Sequence, residues 1–461
     1  MAAAGLVVMA SPLHLLGAVL LVLGVVTVGL TAPDYALLAI LVLFPVHPLA
    51  ARVLQVDFGV TGSALLVFSS WKELALAVVI GGQLIRQLAT HPDWRTVRAQ
   101  LNVVDVLGAA LVVLATIGLA LNPHGLALNQ LRLWLFPIGV YVAVRLCGLS
   151  IRQFLEAAAV VAVGFGTFLV VQGDFLGFGF VSRYWTAGGR IPNTYTALLL
   201  DGPRGSGTLA SPNEAALALA FWACMLAAAV LVLREWRRWH ALALGVVLVA
   251  LAITFSRSGP AGAFVGIVAL LLAVGLTGGL KPRQGLAWLL VAIIAAGSVS
   301  AAIYYERGGV ALLINTFLTA SGDSENPDSS TVAHANSLEL GVQLMEANPL
   351  GVGLGNVGPR TDPITGERPR YLIESYYLTL GVTFGWIGLV WALLLPLAFA
   401  VCAIRAIRRG VVLAGSALLG AAFAAAIVSI LLPTMSEPQI AMVPWALAAF
   451  VAGPVLGKAD A

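Results

Sequence analysis

Uninterrupted apolar runs of roughly 18–22 residues recur along this chain, and each is long enough to cross ~30 Å of hydrocarbon as a helix. They lie near 13–31, 35–51, 64–85, 103–121, 128–146, 154–173, 213–233, 239–255, 258–276, 286–305, 376–404, 410–432 and 439–457. In lipid no water satisfies exposed backbone N–H and C=O groups, so a run of this kind is a helix. A β-barrel would show short alternating segments instead. Hydrophobic residues make up 60% of the 461 positions and charged residues only 10%, which excludes an ordinary soluble domain. The fold class expected is an all-α polytopic membrane protein of about 12–13 transmembrane helices, organised as one domain over 1–461.

Basic residues set the expected orientation. Short connections carry Arg86, Arg95, Arg98, Arg145, Arg152, Arg234, Arg237, Arg238, Lys281, Arg283, Arg405, Arg408, Arg409 and Lys458. The positive-inside rule places these in the cytoplasm, with the C-terminus. Thirteen spans would put the N-terminus outside and twelve would put it inside. Two long loops, about 174–212 and 306–375, then face the extracytoplasmic side. The net charge of +4 is this topogenic asymmetry and does not indicate nucleic-acid binding. The first residues have no basic stretch, so a cleaved leader is not expected. Cys147, Cys224 and Cys402 show no metal or redox spacing and read as packing residues.

Polar chemistry concentrates in the two long loops. In the first, Ser211, Pro212 and Glu214 spell a helix start with a capping box. Arg204 precedes it in PRGSGT, where glycines would let backbone approach a ligand. Arg183 and Arg190 read as solvated loop residues. Arg257 lies in TFSRSGPAG, a short break before the next helix. A guanidinium beside the free N–H groups of a helix N-terminus makes an anion site. Near the outer ends of other spans sit Lys72 with Glu73, and Arg132. Lys72 and Glu73 either pair structurally or line a polar cavity, and Arg132 is a candidate third cationic group.

The second loop contains Leu338, Val342 and Met345 at helical spacing, which predicts an amphipathic helix over 331–347 ended by Asn348-Pro349. His334 falls near its start. GVGLG follows no strand and is not a nucleotide loop. The acidic DSENPD stretch lacks EF-hand spacing and reads as solvated. At 374–388 the chain reads ESYYLTLGVTFGWIG, with ionisable Glu374 at the head of an apolar helix. An ionisable group held at a membrane boundary is costly and points to function.

Four pieces, RGSGTLASPNEAALAL, FSRSGPAGAFVG, EANPLGVGLGNVG and ESYYLTLGVTFGWIG, occur in an order that resembles the O-antigen ligase and O-antigen polymerase (Wzy-like, WaaL-like) superfamily of bacterial membrane glycosyltransferases. The likeness covers roughly 200–400 by motif and the N-terminal half by hydropathy alone. In many members the last motif opens with His; this chain matches at Ser375, Gly385 and Gly388 but has Glu374 in the His position. Glu374 or His334 is therefore the candidate base, since a positioned carboxylate performs the same proton transfer.

The resemblance implies an undecaprenyl-diphosphate-linked glycan donor and inverting, metal-independent transfer at the outer face of the cytoplasmic membrane. It implies no cofactor. Arg257, Arg204 and Arg132 would neutralise the diphosphate, with Lys72, Ser375 and Tyr376 in support. The expected partners are a lipid-linked oligosaccharide acceptor, membrane lipids and, for a polymerase, a chain-length regulator. A polymerase of repeat units is the first reading, and a ligase onto a lipid or protein acceptor is the second. A lipid-linked glycan flippase would instead show charge along a central path in both halves, whereas this chain gathers its polar residues in two loops.

Overall fold

The computed structural model describes residues 5, 9, 13–89, 101–123, 125–185, 204–276, 283–306, 329–358 and 368–453. The regular elements among them are helices, joined by turns and loops, with one isolated parallel bridge between Val357 and Tyr371. In chain order the helices are α1 (His14–Thr31), α2 (Pro33–Leu43), α3 (His47–Asp57), α4 (Gly62–Ser69), α5 (Trp71–Ala89), α6 (Val103–Leu121), α7 (Gly125–Cys147), α8 (Ile151–Val171) and α9 (Gly177–Trp185). There follow α10 (Pro212–Val232), α11 (Arg237–Ile253), α12 (Ser258–Leu276), α13 (Arg283–Glu306), α14 (Ser329–Ala347), α15 (Tyr376–Phe384), α16 (Trp386–Arg408), α17 (Val412–Leu431) and α18 (Pro438–Ala452). Among the described residues ten helices are long and apolar enough to cross a membrane, and eleven if the bent pair α2–α3 is one span. The protein is a multi-pass membrane protein.

The count falls short of twelve or thirteen for local reasons. The run at 35–51 is two helices meeting at 73° around Pro45 and Pro48. The run at 376–404 breaks at Gly385, where φ is +71°, but still supplies one span, Trp386–Arg408. Runs at 239–255 and 439–457 form helices of 17 and 15 residues, shorter than the other spans, although α11 runs the depth of the bundle from Arg237 to the Thr254 carbonyl that Arg204 holds.

The bundle is built around α10. Of its span 94% is buried, whereas spans such as α1 and α13 keep only 28% and 22% inside the protein and turn the rest outward. Small residues bring its neighbours close. Gly262 and Gly266, one helical turn apart on α12, lie against α17: a Cβ at Gly262 would sit 2.6 Å from Val428, and one at Gly266 would sit 2.5 Å from both Gly420 O and Cys224 Sγ. Backbones in lipid associate through such small-residue contacts rather than through hydrophobic drive. Cys224 and Cys402 are buried packing residues, as expected, and Cys147 is partly buried.

At the end of the bundle where α6 begins, a buried polar knot joins three helices. Asn102 caps α6 in a capping box with Asp105, Asp105 pairs with Arg145 of α7 at 2.5 Å, and Tyr141 donates to the same carboxylate at 2.9 Å. Arg145, only 3% exposed, also donates to Gly453 O at the end of α18. Desolvated pairs of this sort hold register rather than add much stability.

Candidate functional site

The amphipathic helix exists as α14, but with a different inner face. Val342 points outward at 46% exposed, while Ser337, Gly341 and Met345 are buried. The stripe falls at i, i+4 and i+8, and one turn before it stands His334. Gly341 is what lets α14 approach α15, since a Cβ there would lie 2.9 Å from Leu378 Cδ1. A small satellite core of Met345, Val357, Ile373 and Val382 seals the contact.

This packing places Glu374 against α14. Its backbone N–H donates to Ser337 Oγ at 2.7 Å. His334 Nδ1, on the same face as Ser337, lies 2.7 Å from Glu374 Oε2. The two atoms are out of solvent and meet without hydrogen-bond geometry, so the contact is a close approach rather than a hydrogen bond. The side chains as wholes keep 24% and 31% of their surface exposed, enough for a reactant to reach them. The alternative bases named from the sequence are thus neighbours. Ser375 caps α15, accepting from Leu378 N–H and donating to Ser429 O at 3.2 Å. Tyr376 is buried at 7% exposed and serves packing. Both supporting residues are structural.

The glycine motifs are structural too. Gly385 has φ +71°, and a Cβ there would stand 1.9 Å from Pro349 O. Gly351 has φ +89°, and a Cβ there would meet Thr383 O at 2.3 Å. Val352 and Gly353 N–H groups donate to Val382 and Thr383 carbonyls at 2.8 and 3.1 Å. The GVGLG turn therefore clasps the α15–α16 break and satisfies the carbonyls that the break leaves open. Gln130 of α7 fastens the same turn, accepting from Gly355 N–H at 2.6 Å and donating to Val357 O at 2.9 Å.

The arginines gather at this end of the bundle. Arg257 immediately precedes α12, and Gly262 in the second turn packs on Val428, beside the Ser429 carbonyl that holds Ser375. Arg257 and Gly262 are separated by about 7 Å along the helix axis. Arg204 joins the same turn, donating to Thr254 O at 2.9 Å and Asn213 Oδ1 at 3.2 Å. The glycines beside Arg204 approach protein rather than ligand: Cβ atoms at Gly205 and Gly207 would lie 2.4 Å from Leu169 and 2.7 Å from Phe165. Buried Gln172, in a single π turn after α8, accepts from Ser206 and Gly207 N–H groups at 2.9 and 2.7 Å.

Lys72 and Arg132 share one partner. Glu73 lies 3.3 Å from Lys72 Nζ and 3.4 Å from Arg132 Nε. Lys72, 5% exposed, stands 4.9 Å over the Phe44 ring. Neighbouring Pro45 accepts from Thr208 of the Arg204 loop at 2.7 Å. Lys72 is thus a packed structural partner of Glu73. Arg132 keeps a 37% exposed side chain, and the two cations around one carboxylate leave a surplus of positive charge.

Three expectations are corrected. Glu214 does not complete a capping box: Ser211 caps Glu214 N–H, while the Glu214 carboxylate accepts from Gln439 at 3.2 Å. Residues 174–185, expected in the first long loop, are helical, and Arg183 in α9 is ion-paired with Asp57. The hydrogen bond to that carboxylate pushes the Tyr184 hydroxyl above its ordinary value. Arg190 and the acidic 323–328 stretch lie outside the described residues. Sequence reading missed Ser337, Gln130 and Gln172; Gln172, at the end of the apolar run FLVV, carried a signal for a tertiary anchor, whereas Ser337 and Gln130 lie among other polar residues and carried none. Among the described residues no Arg or Lys is ion-paired with Glu374, and no cluster of His, Cys, Asp and Glu has metal-binding form. No protein-family model matches this chain, and no curated protein matches it.

Proposed function

We propose that this protein polymerises glycan repeat units at a membrane, transferring a polyprenyl-diphosphate-linked glycan onto a hydroxyl of another lipid-linked repeat unit. The 2.7 Å approach of His334 to Glu374, at the end of the bundle that carries Arg204 and Arg257, is the observation that supports this reading most strongly. Its sequence counterpart is the order of four motifs.

In this reading Glu374 takes the proton from the acceptor hydroxyl as its oxygen attacks the anomeric carbon. The bond from that carbon to the diphosphate oxygen breaks on the opposite face, and the electron pair leaves with the lipid diphosphate. Configuration inverts. His334 lies against the carboxylate and limits where it can move before transfer. Arg257 and the outward part of Arg132 neutralise the diphosphate as its charge develops, which fixed guanidinium groups do without reorganisation. Arg204, spent on Thr254 O and Asn213, shapes the turn that presents Arg257. Guanidinium groups take the place of a divalent ion, so transfer is metal-independent. The active end faces the extracytoplasmic side of the cytoplasmic membrane.

The test is release of polyprenyl diphosphate from a purified, reconstituted sample given lipid-linked repeat units with chelator present. Release that depends on an acceptor sugar supports the reading. Intact donor after prolonged incubation, with the donor moved between leaflets, would replace it with a transport function.

A further inference from the structure

The opposite end of α10 carries a second feature that the transfer reaction does not use. Arg234, Trp236, Arg237, Arg238 and Trp239, in the α10–α11 connection and the first turn of α11, line a cavity of about 390 Å³ with Trp288 of α13. This volume is within the range of ligand cavities, about 300–1,000 Å³. The 21 residues of α10 put it about 30 Å from the Arg204 turn, one bilayer thickness away.

Its chemistry is one-sided. Three guanidinium groups meet in it, and among the described residues no carboxylate lines it. Glu235, between them in sequence, is drawn away by Arg152 at 2.8 Å. Arg237 is fixed by donating Nε to Val230 O and Leu233 O at 2.8 and 3.1 Å, so its position is set before anything binds. Trp236 has a left-handed backbone, φ 58°, which costs a non-glycine residue and turns its ring to the outside at 63% exposed. Trp239 and Trp288 are exposed at 52% and 41%, and Arg238 stacks over Trp239 at 5.7 Å.

Exposed indoles at the end of membrane-crossing helices sit at headgroup level. Guanidinium groups bind phosphate in forked pairs, and a stacked guanidinium keeps its donors free for that. A purely topogenic cluster would need charge but neither a cavity nor three tryptophans. We propose that this cavity binds the phosphate of an anionic phospholipid headgroup, with the indoles lying along its glycerol and upper acyl carbons.

Native mass spectrometry of the purified protein, titrated with phosphatidylglycerol or phosphatidylcholine, tests the assignment. The wild type should keep phosphatidylglycerol preferentially. The double variant Arg234→Gln/Arg238→Gln, which spares the anchored Arg237, should lose roughly 30-fold in that preference, as expected for two interfacial basic residues. Arg405→Gln/Arg408→Gln, at the end of α16, should lose little. Equal loss in both double variants would mean diffuse attraction and overturn the site. So would displacement of the lipid by millimolar glycerol phosphate, which would make the ligand a soluble anion. An unchanged preference in the Arg234/Arg238 variant, with a monodisperse elution profile, overturns it directly.

Discussion

Glu374 Oε2 and His334 Nδ1 lie 2.7 Å apart although they belong to separate elements, the segment two residues ahead of α15 and the first half of α14. The pair is assembled by Ser337, which receives the Glu374 N–H from one turn beyond His334. That backbone anchor fixes the position from which the carboxylate would take a proton in the proposed reaction.

Substitution of either member should therefore affect turnover more than folding. Glu374→Gln is expected to lower transfer by at least about 100-fold, the low end for a general base. His334→Gln should lower it less. The double variant should be no worse than Glu374→Gln alone, because residues acting as one unit are non-additive. Initial rates of glycan transfer check this, with melting temperature in detergent confirming the fold.

Gly385 answers to geometry, not chemistry. Gly385→Ala would place a Cβ 1.9 Å from Pro349 O at φ +71°. Backbone strain alone costs about 1–3 kcal/mol, and the clash adds to it. Gly245→Ala, where a Cβ meets nothing within 4 Å, should be neutral or slightly stabilising. A thermal melt of the two variants separates them.

Arg204 and Arg257 share a turn but should fail differently. Arg204→Lys loses the fork that reaches both Thr254 O and Asn213, so it should lower the melting temperature as well as activity. Arg257→Ala should raise KM for the lipid-linked donor and lower kcat, with little change in melting. Donor titrations on both variants read this out. Unchanged KM and kcat in Arg257→Ala would remove it from the site.

The charge triad predicts a coupling. Glu73→Gln leaves Lys72, 5% exposed, and Arg132 facing each other without their shared carboxylate. The expected loss is on the order of 2 kcal/mol, below the ~3–5 of a fully buried pair because Glu73 is 22% exposed. Glu73→Gln with Lys72→Met should recover part of it, and a double-mutant cycle in denaturant measures the coupling.

Much of this architecture was readable from apolar run length, because lipid gives a backbone no alternative to the helix. The Ser211 cap and the helix at 331–347 were readable for the same local reasons. The breaks were not. Residues on both sides of Gly385 are equally apolar, so the sequence pattern runs through it; the break is forced by the GVGLG clasp, whose carbonyl and N–H partners come from elsewhere in the chain. Glu374 and His334 were each visible as candidates, but their contact depends on which face of α14 turns inward. Met345 fits the observed face and Val342 does not, and Gly341, with no side chain to signal burial, decides between them.

The most direct test of the account is a product ladder. Wild type and Glu374→Gln would be reconstituted separately with polyprenyl-diphosphate-linked repeat units from the host and no other acceptor, and the glycans resolved on a gel. The account predicts a ladder of lengthened glycans from the wild type and unextended donor from the variant. A full ladder from Glu374→Gln would contradict the assigned base, and transfer only after a lipid or protein acceptor is added would contradict the polymerase.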